Sequence, residues 1–316
     1  MNGKDIKYFF DSLNQKSGKC FYPQEKCAGK PIRAHSIQNS NTLDLLHTNN
    51  HVYLIGPKFE SNRKQVLDLR LVGRNEASTF LGLCEEHDRK LFEPIDKRPI
   101  DANNQEQLFL LAYRSMLKEY HVTFDGFNRI HQGYQHLVNS GYEPGTNMEK
   151  EIPYLRFLTK IIELTQYKEK LDRFLIKKEF DFLKHETIVL PHKRATVSCS
   201  QLFSADSIDF KGDVLRIILN AIPLNTAETL VVFSATRDEV NHGRMYWDRC
   251  LSGDEYYQKY EVSKMIIRNC ENFFLKPSFV NNWSDSKRKL ILDYYCSAFE
   301  RDEDVLNSVE YYLFDD

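Results

Sequence analysis

No stretch of the chain approaches the roughly 20 consecutive apolar residues that cross a bilayer, and its opening, MNGKDIKYFFDSLNQKSGK, lacks the unbroken apolar run of a secretory leader. Membrane and secreted classes are therefore not expected, and a cytoplasmic location is. Neither sign of charge is in excess, with 43 Lys and Arg against 45 acids, so a global polyanion-binding field is excluded and only local patches remain. Internal repeats and low-complexity tracts are absent, which sets aside solenoids and fibrous chains. Cysteine is sparse, at seven residues, and in a reducing compartment these are not expected to build a disulfide framework. Cysteines that cluster there point to a metal.

What is present suits a folded protein of two domains: 316 residues, 41% hydrophobic and 28% charged, can bury a core in each. Ile6, Phe9, Phe10 and Leu13 share one helical face and predict a lead-in helix. HVYLIG (51–56) and QVLDLRLVG (65–73) read as short antiparallel strands joined by a polar loop. EEHDRKLFEP opens a helix after Cys84, its acids suiting the positive end of the dipole and Pro94 limiting its length. The polar segment DKRPIDANN (96–104) predicts a linker and a domain boundary near residue 100.

Beyond that boundary, 105–121 and 127–140 have helical spacing interrupted by HVTFDG, and 149–185 reads as a long helix broken only near Pro153. Residues 187–236 are rich in β-branched and aromatic residues, with AIPLNTAETLVVFS as a hairpin, and 254–316 returns to helical spacing dense in Tyr and Phe. The expected fold class is α+β: residues 1–100 as a zinc-binding module, then residues 101–316 as a mostly helical domain with a small antiparallel sheet.

Two close pairs carry the chemistry, Cys20 with Cys27 on a turn and Cys84 with His87 where a strand meets a helix. Tetrahedral zinc takes four N or S donors, usually delivered as two such pairs. A thiol at a helix N-terminus is also more readily a thiolate, which favours Cys84 as a ligand. The six residues between Cys20 and Cys27 are a wide spacing, so His35 stays an alternative ligand in place of one cysteine. Cys199, Cys250, Cys270 and Cys296 stand alone and are expected in the core.

The order of a cysteine pair, a strand histidine in IRAHSIQ (32–38) and a second pair in LCEEHD (83–88) resembles the HNH endonuclease superfamily, with its ββα-metal, treble-clef module. The resemblance covers residues 20–96. It implies His35 as general base, Asp88 as ligand of a catalytic Mg2+ or Mn2+, and Asn75 as the orienting Asn, with structural Zn2+ on Cys20, Cys27, Cys84 and His87. It also implies metal-dependent cleavage of nucleic acid, DNA before RNA, and an association with defence against foreign DNA. The chemistry agrees, since a histidine neutral near pH 7 can activate water and a carboxylate binds a hard cation.

A zinc-stabilised module that binds nucleic acid or protein without cutting is the alternative, and Ala34 and Asp88, where the family places other residues, would then mark a degenerate site. Lys26, Lys30, Arg33, Arg70, Arg74, Arg89 and Lys90 could follow phosphates, or simply form a solvated face. The C-terminal domain is expected to select substrate, bind a protein partner or self-associate as a homo-oligomer. HKRATVSCS (192–200) and FSATRDEVNHGR place polar residues beside strand ends, without a nucleophile–base spacing.

Overall fold

The computed structural model describes residues 18–23, 27–59, 65–141, 148–205, 214–300 and 311–315. The lead-in helix expected from Ile6, Phe9, Phe10 and Leu13 lies outside the described residues, as does Lys26. The first strands are β1 (Ala34–His35), β2 (His51–Phe59), β3 (Gln65–Gly73) and β4 (Thr79–Phe80). β2 and β3 form an antiparallel hairpin from His51 opposite Gly73 to Phe59 opposite Gln65. β1 and β4 make a separate two-stranded sheet.

Helices α1 (Glu85–Asp96), α2 (Gln105–Asn139) and α3 (Met148–Lys177) follow. α1 runs on past Pro94 to Asp96. α2 passes unbroken through HVTFDG, where the sequence suggested an interruption. His121 and Thr123 are buried there, so packing overrides the weak helix propensity of the segment. Gly126, which would cost about 1 kcal/mol in a bare helix, lets the Phe157 ring of α3 approach to 3.1 Å of where a Cβ would stand.

α3 ends at Lys177, short of the expected 185. Lys178 adopts a left-handed φ of 57°, and the Glu179 N–H donates to Phe174 O at 3.0 Å. This is a Schellman-type stop with lysine where glycine is usual.

The remaining strands are β5 (Leu183–Pro191), β6 (Val197–Ala205), β7 (Leu215–Pro223), β8 (Glu228–Thr236) and β9 (Phe273–Leu275). Helices α4 (Val240–Leu251), α5 (Glu255–Asn269) and α6 (Asp285–Glu300) accompany them in the C-terminal part. β7 and β8 pair as the expected hairpin, Ile218 opposite Ser234. β9 was not anticipated in the aromatic-rich stretch read as helix. Phe273 and Phe274 face opposite cores, as strand alternation requires, and Lys276, held extended by Pro277, closes the strand. The larger sheet has the order β3-β2-β9-β6-β7-β8-β5, with antiparallel pairings throughout.

The chain divides into two compact units, each drawn from three segments. The first comprises Met1–Ala34, Phe80–Leu91 and Met116–Glu179, and the second His35–Thr79, Phe92–Ser115 and Phe180–Asp316. The expected boundary near residue 100, with residues 1–100 as one module and 101–316 as another domain, is thereby corrected. The reason is strand pairing: Tyr53 of β2 lies opposite Leu275 of β9, which continues to Val197 of β6, so the early hairpin belongs to the late sheet. The expected linker is also held in place. Within the second unit the Gln107 amide donates to Pro94 O and Pro99 O while its oxygen accepts from the Asp101 N–H.

The core of the second unit follows from period-two alternation. Val197 and Cys199 of β6, Ile217, Leu219 and Ala221 of β7, and Val231, Phe233 and Ala235 of β8 step two residues at a time along their strands. All of them enter one cluster with Trp247, Ile266 and Ile291 of the helices. The residues between them turn to the other face, where Ser200 and Asn220 meet Ser115 of α2. Trp247 is fully buried and stacks on Phe233 with ring centroids 5.6 Å apart. A Cβ on Gly243, one turn earlier in α4, would run into the Trp247 ring, so only glycine leaves that space open. Of the solitary cysteines, Cys199, Cys250 and Cys270 are buried as expected, and Cys296 is half-buried.

Candidate metal centre

Backbone pairing within the first unit builds the centre. The Phe21 N–H donates to Gly82 O at 2.8 Å and the Ile32 N–H to Leu83 O at 2.9 Å, while Pro31 and Cys84 form an antiparallel bridge. These contacts carry Cys20 and Cys27 to the start of α1, where Cys84 and His87 stand. Phe21, the neighbour of Cys20, packs edge-on against Tyr120 and Phe124 of α2, with centroids 4.9 and 5.4 Å away. The cysteine turn is thereby tied to the apolar interior of its own unit.

One donor atom from each of Cys20, Cys27, Cys84 and His87 lies within 4.8 Å of all the others, and this group could hold a metal ion. Cys20 Sγ is 3.4 Å and Cys84 Sγ 3.3 Å from His87 Nδ1, and Cys27 Sγ is 3.6 Å from Cys84 Sγ. Donors about 2.0–2.3 Å from a tetrahedral ion stand roughly 3.3–3.8 Å apart, so the spacing fits one ion coordinated by all four. His35 is not in the group, which removes it as the alternative ligand.

Two supporting residues gave no signal in the sequence. The Gly29 N–H donates to Cys27 Sγ at 3.3 Å, and a Cβ at Gly29 would stand 2.8 Å from Cys84 Cβ and 3.1 Å from its sulfur. Any side chain there would intrude on the donors. Tyr22 stacks flat on His87, centroids 4.0 Å apart with 2° between planes, and so fixes the imidazole.

Without a metal the thiols are unequal. Burial pushes Cys84 up, but the His87 N–H, Cys27, Cys20 and the Glu86 N–H together outweigh it, and its pKa falls below the ordinary thiol value. Cys20 is pushed up to about 11, chiefly by burial. Cys84 is therefore the thiol most ready to become an anionic ligand.

The catalytic candidates do not share one unit. Asp88 lies with the metal donors in the first, in the opening turn of α1, whereas His35 and Asn75 belong to the second. Asn75 is exposed and accepts a hydrogen bond from Asn39 Nδ2 at 2.9 Å. His35 is half-buried, and burial first, then Arg114, lower its pKa, opposed by a hydrogen bond to the Arg74 backbone and by Asp96. It is neutral at pH 7, with a buried Nε2 that has no partner. Of the basic residues considered for phosphate contact, Arg74 pairs with Asp44 and Arg70 donates to Pro57 O.

Among the described residues no second group of three or more His, Cys, Asp or Glu side chains converges as a metal site. Among those residues, too, no helix is long and apolar enough to cross a membrane. No protein-family model matches the chain, and neither does any curated protein or solved structure.

Proposed function

We propose that Cys20, Cys27, Cys84 and His87 hold zinc as a closed structural site, and that the first unit is a zinc-stabilised treble-clef module which binds a macromolecule without cleaving it. The spacing of the four donors, 3.3–3.6 Å for the three measured pairs, carries the reading. Three thiolates and one imidazole fill a tetrahedral zinc completely and leave no open position for water or substrate. Zinc in such a site contributes folding energy and does no chemistry. A nuclease would need a separate hard cation, and Asp88 alone is a thin basis for one.

Metal analysis tests this reading: purified protein is expected to carry about one zinc per chain, and Cys84→Ser to lose it. Cobalt substitution should give the ligand-field absorption of a tetrahedral thiolate site. Metal-free protein with unchanged stability would overturn the assignment.

The second reading is an HNH-type endonuclease, whose link to defence against foreign DNA rests on resemblance alone, and it draws on His35. A neutral histidine with an unpartnered Nε2 is competent to take a proton from water. On this reading magnesium- or manganese-dependent cleavage of plasmid or RNA falls by roughly 10²–10⁴-fold in His35→Ala, with zinc content unchanged. Binding without cleavage across divalent ions selects the module that does not cut.

A further inference from the structure

Strand β3 ends the seven-stranded sheet, and among the described residues no strand lies beyond it. Open strand edges are ordinarily blunted by a short strand, a bulge, a proline or a lysine. β3 has none of these: it runs for nine residues, pairs with β2 at every position without a bulge, and contains neither Pro nor Lys. Leu71 on this strand is 53% exposed, an apolar side chain with little cover.

The edge also presents its hydrogen-bonding groups. Arg74, just past the strand, continues the register and donates its N–H to Asn50 O, so the even-numbered residues of β3 turn their backbone groups to β2. The Leu69 N–H donates instead to Asp68 Oδ1 at 2.8 Å. Leu67, Leu69 and Leu71 therefore direct N–H and C=O to the open side.

The sequence of this edge is self-complementary. From Val66 to Val72, VLDLRLV reads the same in both directions about Leu69, except that Asp68 and Arg70 change places. A second copy laid antiparallel about that leucine sets Leu69 opposite Leu69, Leu67 opposite Leu71 and Val66 opposite Val72. Asp68 of each copy then stands opposite Arg70 of the other, at positions not bonded through the backbone, where side chains come closest. A slip of two residues, the smallest that keeps faces and bonding groups together, sets Asp68 against Asp68 or Arg70 against Arg70. Like charges directly opposite are destabilising, so one register is selected.

We propose that β3 pairs antiparallel with β3 of a second copy of this chain, joining two sheets into one across a two-fold axis at Leu69. Leu67, Leu69 and Leu71 exchange backbone hydrogen bonds across that axis. The Leu69 N–H passes from Asp68 to the other copy's Leu69 carbonyl, which frees Asp68 Oδ1 for the guanidinium of Arg70 while Oδ2 keeps Lys58, now at 2.6 Å. Leu67 and Leu69 already pack on the core of the sheet, and Leu71, on the same face, gains cover from the second copy's Leu67. The pairing uses no residue of the metal centre, and its test does not depend on zinc.

Sedimentation equilibrium on the full chain reads the mass, which should be that of two chains and fall toward one on dilution. Asp68→Arg and Arg70→Asp each set like charges opposite one another twice, and each should raise the dissociation constant at least about tenfold. Mixing the two variants makes both oppositions attractive again, so a mixed dimer should form where neither variant pairs with itself. Native tryptophan emission shows that a variant is folded. If a charge variant is not, Leu71→Lys, at an exposed position, puts a lysine on the edge and should weaken the dimer likewise. The proposal is overturned by a single-chain mass at the highest concentration, by a mass beyond two chains, by an unchanged dimer in the folded variants, or by no rescue on mixing them.

Discussion

The two units are held together by different means. In the first, a few point contacts converge: the Cys20, Cys27, Cys84 and His87 group that could hold a metal, the Tyr22 stack on His87, and Phe21 against Tyr120 and Phe124. In the second, stability is spread over a sheet of seven described strands and a large apolar cluster. The Cys20, Cys27, Cys84 and His87 group could hold an ion, and under the proposed zinc assignment its loss would affect everything around it. A unit of the second kind weakens by increments. Both tryptophans, Trp247 and Trp283, lie in the second unit, so their fluorescence reports on it alone.

The largest expected effect comes from cutting the chain at residue 100. A fragment of residues 101–316 lacks β2 and β3, which removes one side of the sheet and leaves β9 without its pairing to Tyr53. It should fail to fold, giving exposed tryptophan emission and no cooperative urea transition. A fragment with native-like tryptophan emission would show that the sheet does not need its N-terminal strands.

Next in size is removal of the metal. Cys84→Ser, or a strong chelator, should abolish hydrogen-exchange protection in residues 80–91 and 116–139 while tryptophan emission stays unchanged. Equal loss of protection in both units would mean that their stabilities are not separable.

Acid should act on the second unit through His185. Burial first, then Lys184, lower its pKa to about 4, and its Nδ1 lies 2.7 Å from the buried Ser234 hydroxyl. The unfolded chain, with a pKa of about 6.5, takes up the proton first. The stabilisation is thus complete above about pH 6.5 and is lost as pH falls toward 4, roughly 2 kcal/mol of it between pH 7 and pH 5. Urea titrations followed by tryptophan fluorescence should show this loss, and His185→Gln should reduce it.

The smallest effect sharpens the picture of incremental weakening. Gly243→Ala gains about 1 kcal/mol of helix propensity but forces the Trp247 ring aside, at a cost of roughly 1–3 kcal/mol. A net loss of about 1 kcal/mol with a shifted emission maximum is expected, and a stabilised protein with unchanged emission would show that the ring has room to move.

These contrasts explain what could be read in the sequence. The group that could hold a metal was legible because coordination demands particular residue types in close pairs, and Cys20, Cys27, Cys84 and His87 occur that way. The hairpins β2–β3 and β7–β8 were legible because alternation and turns are local signals. Gly29 and Tyr22 were not, since neither lies in a pattern: one matters for lacking a Cβ and the other for a stacking partner far along the chain. The end of α3 escaped notice because lysine, not glycine, takes the left-handed position. The interleaved units escaped for a deeper reason, that pairing between β2 and β9 joins residues more than two hundred positions apart.

The place of β9 between β2 and β6 has a consequence for synthesis. On the ribosome the β2–β3 hairpin emerges early, yet the strand that completes its inner edge is made some two hundred residues later. At about 5–20 residues per second, that edge waits on the order of 10–40 seconds with its hydrogen bonds unmet. During that interval Ile55, whose buried partners in the finished protein all come from Leu190 onward, has no core to enter. The nascent chain therefore passes through a period in which a chaperone, or a neighbouring chain, competes with its own C-terminal third for the same strand.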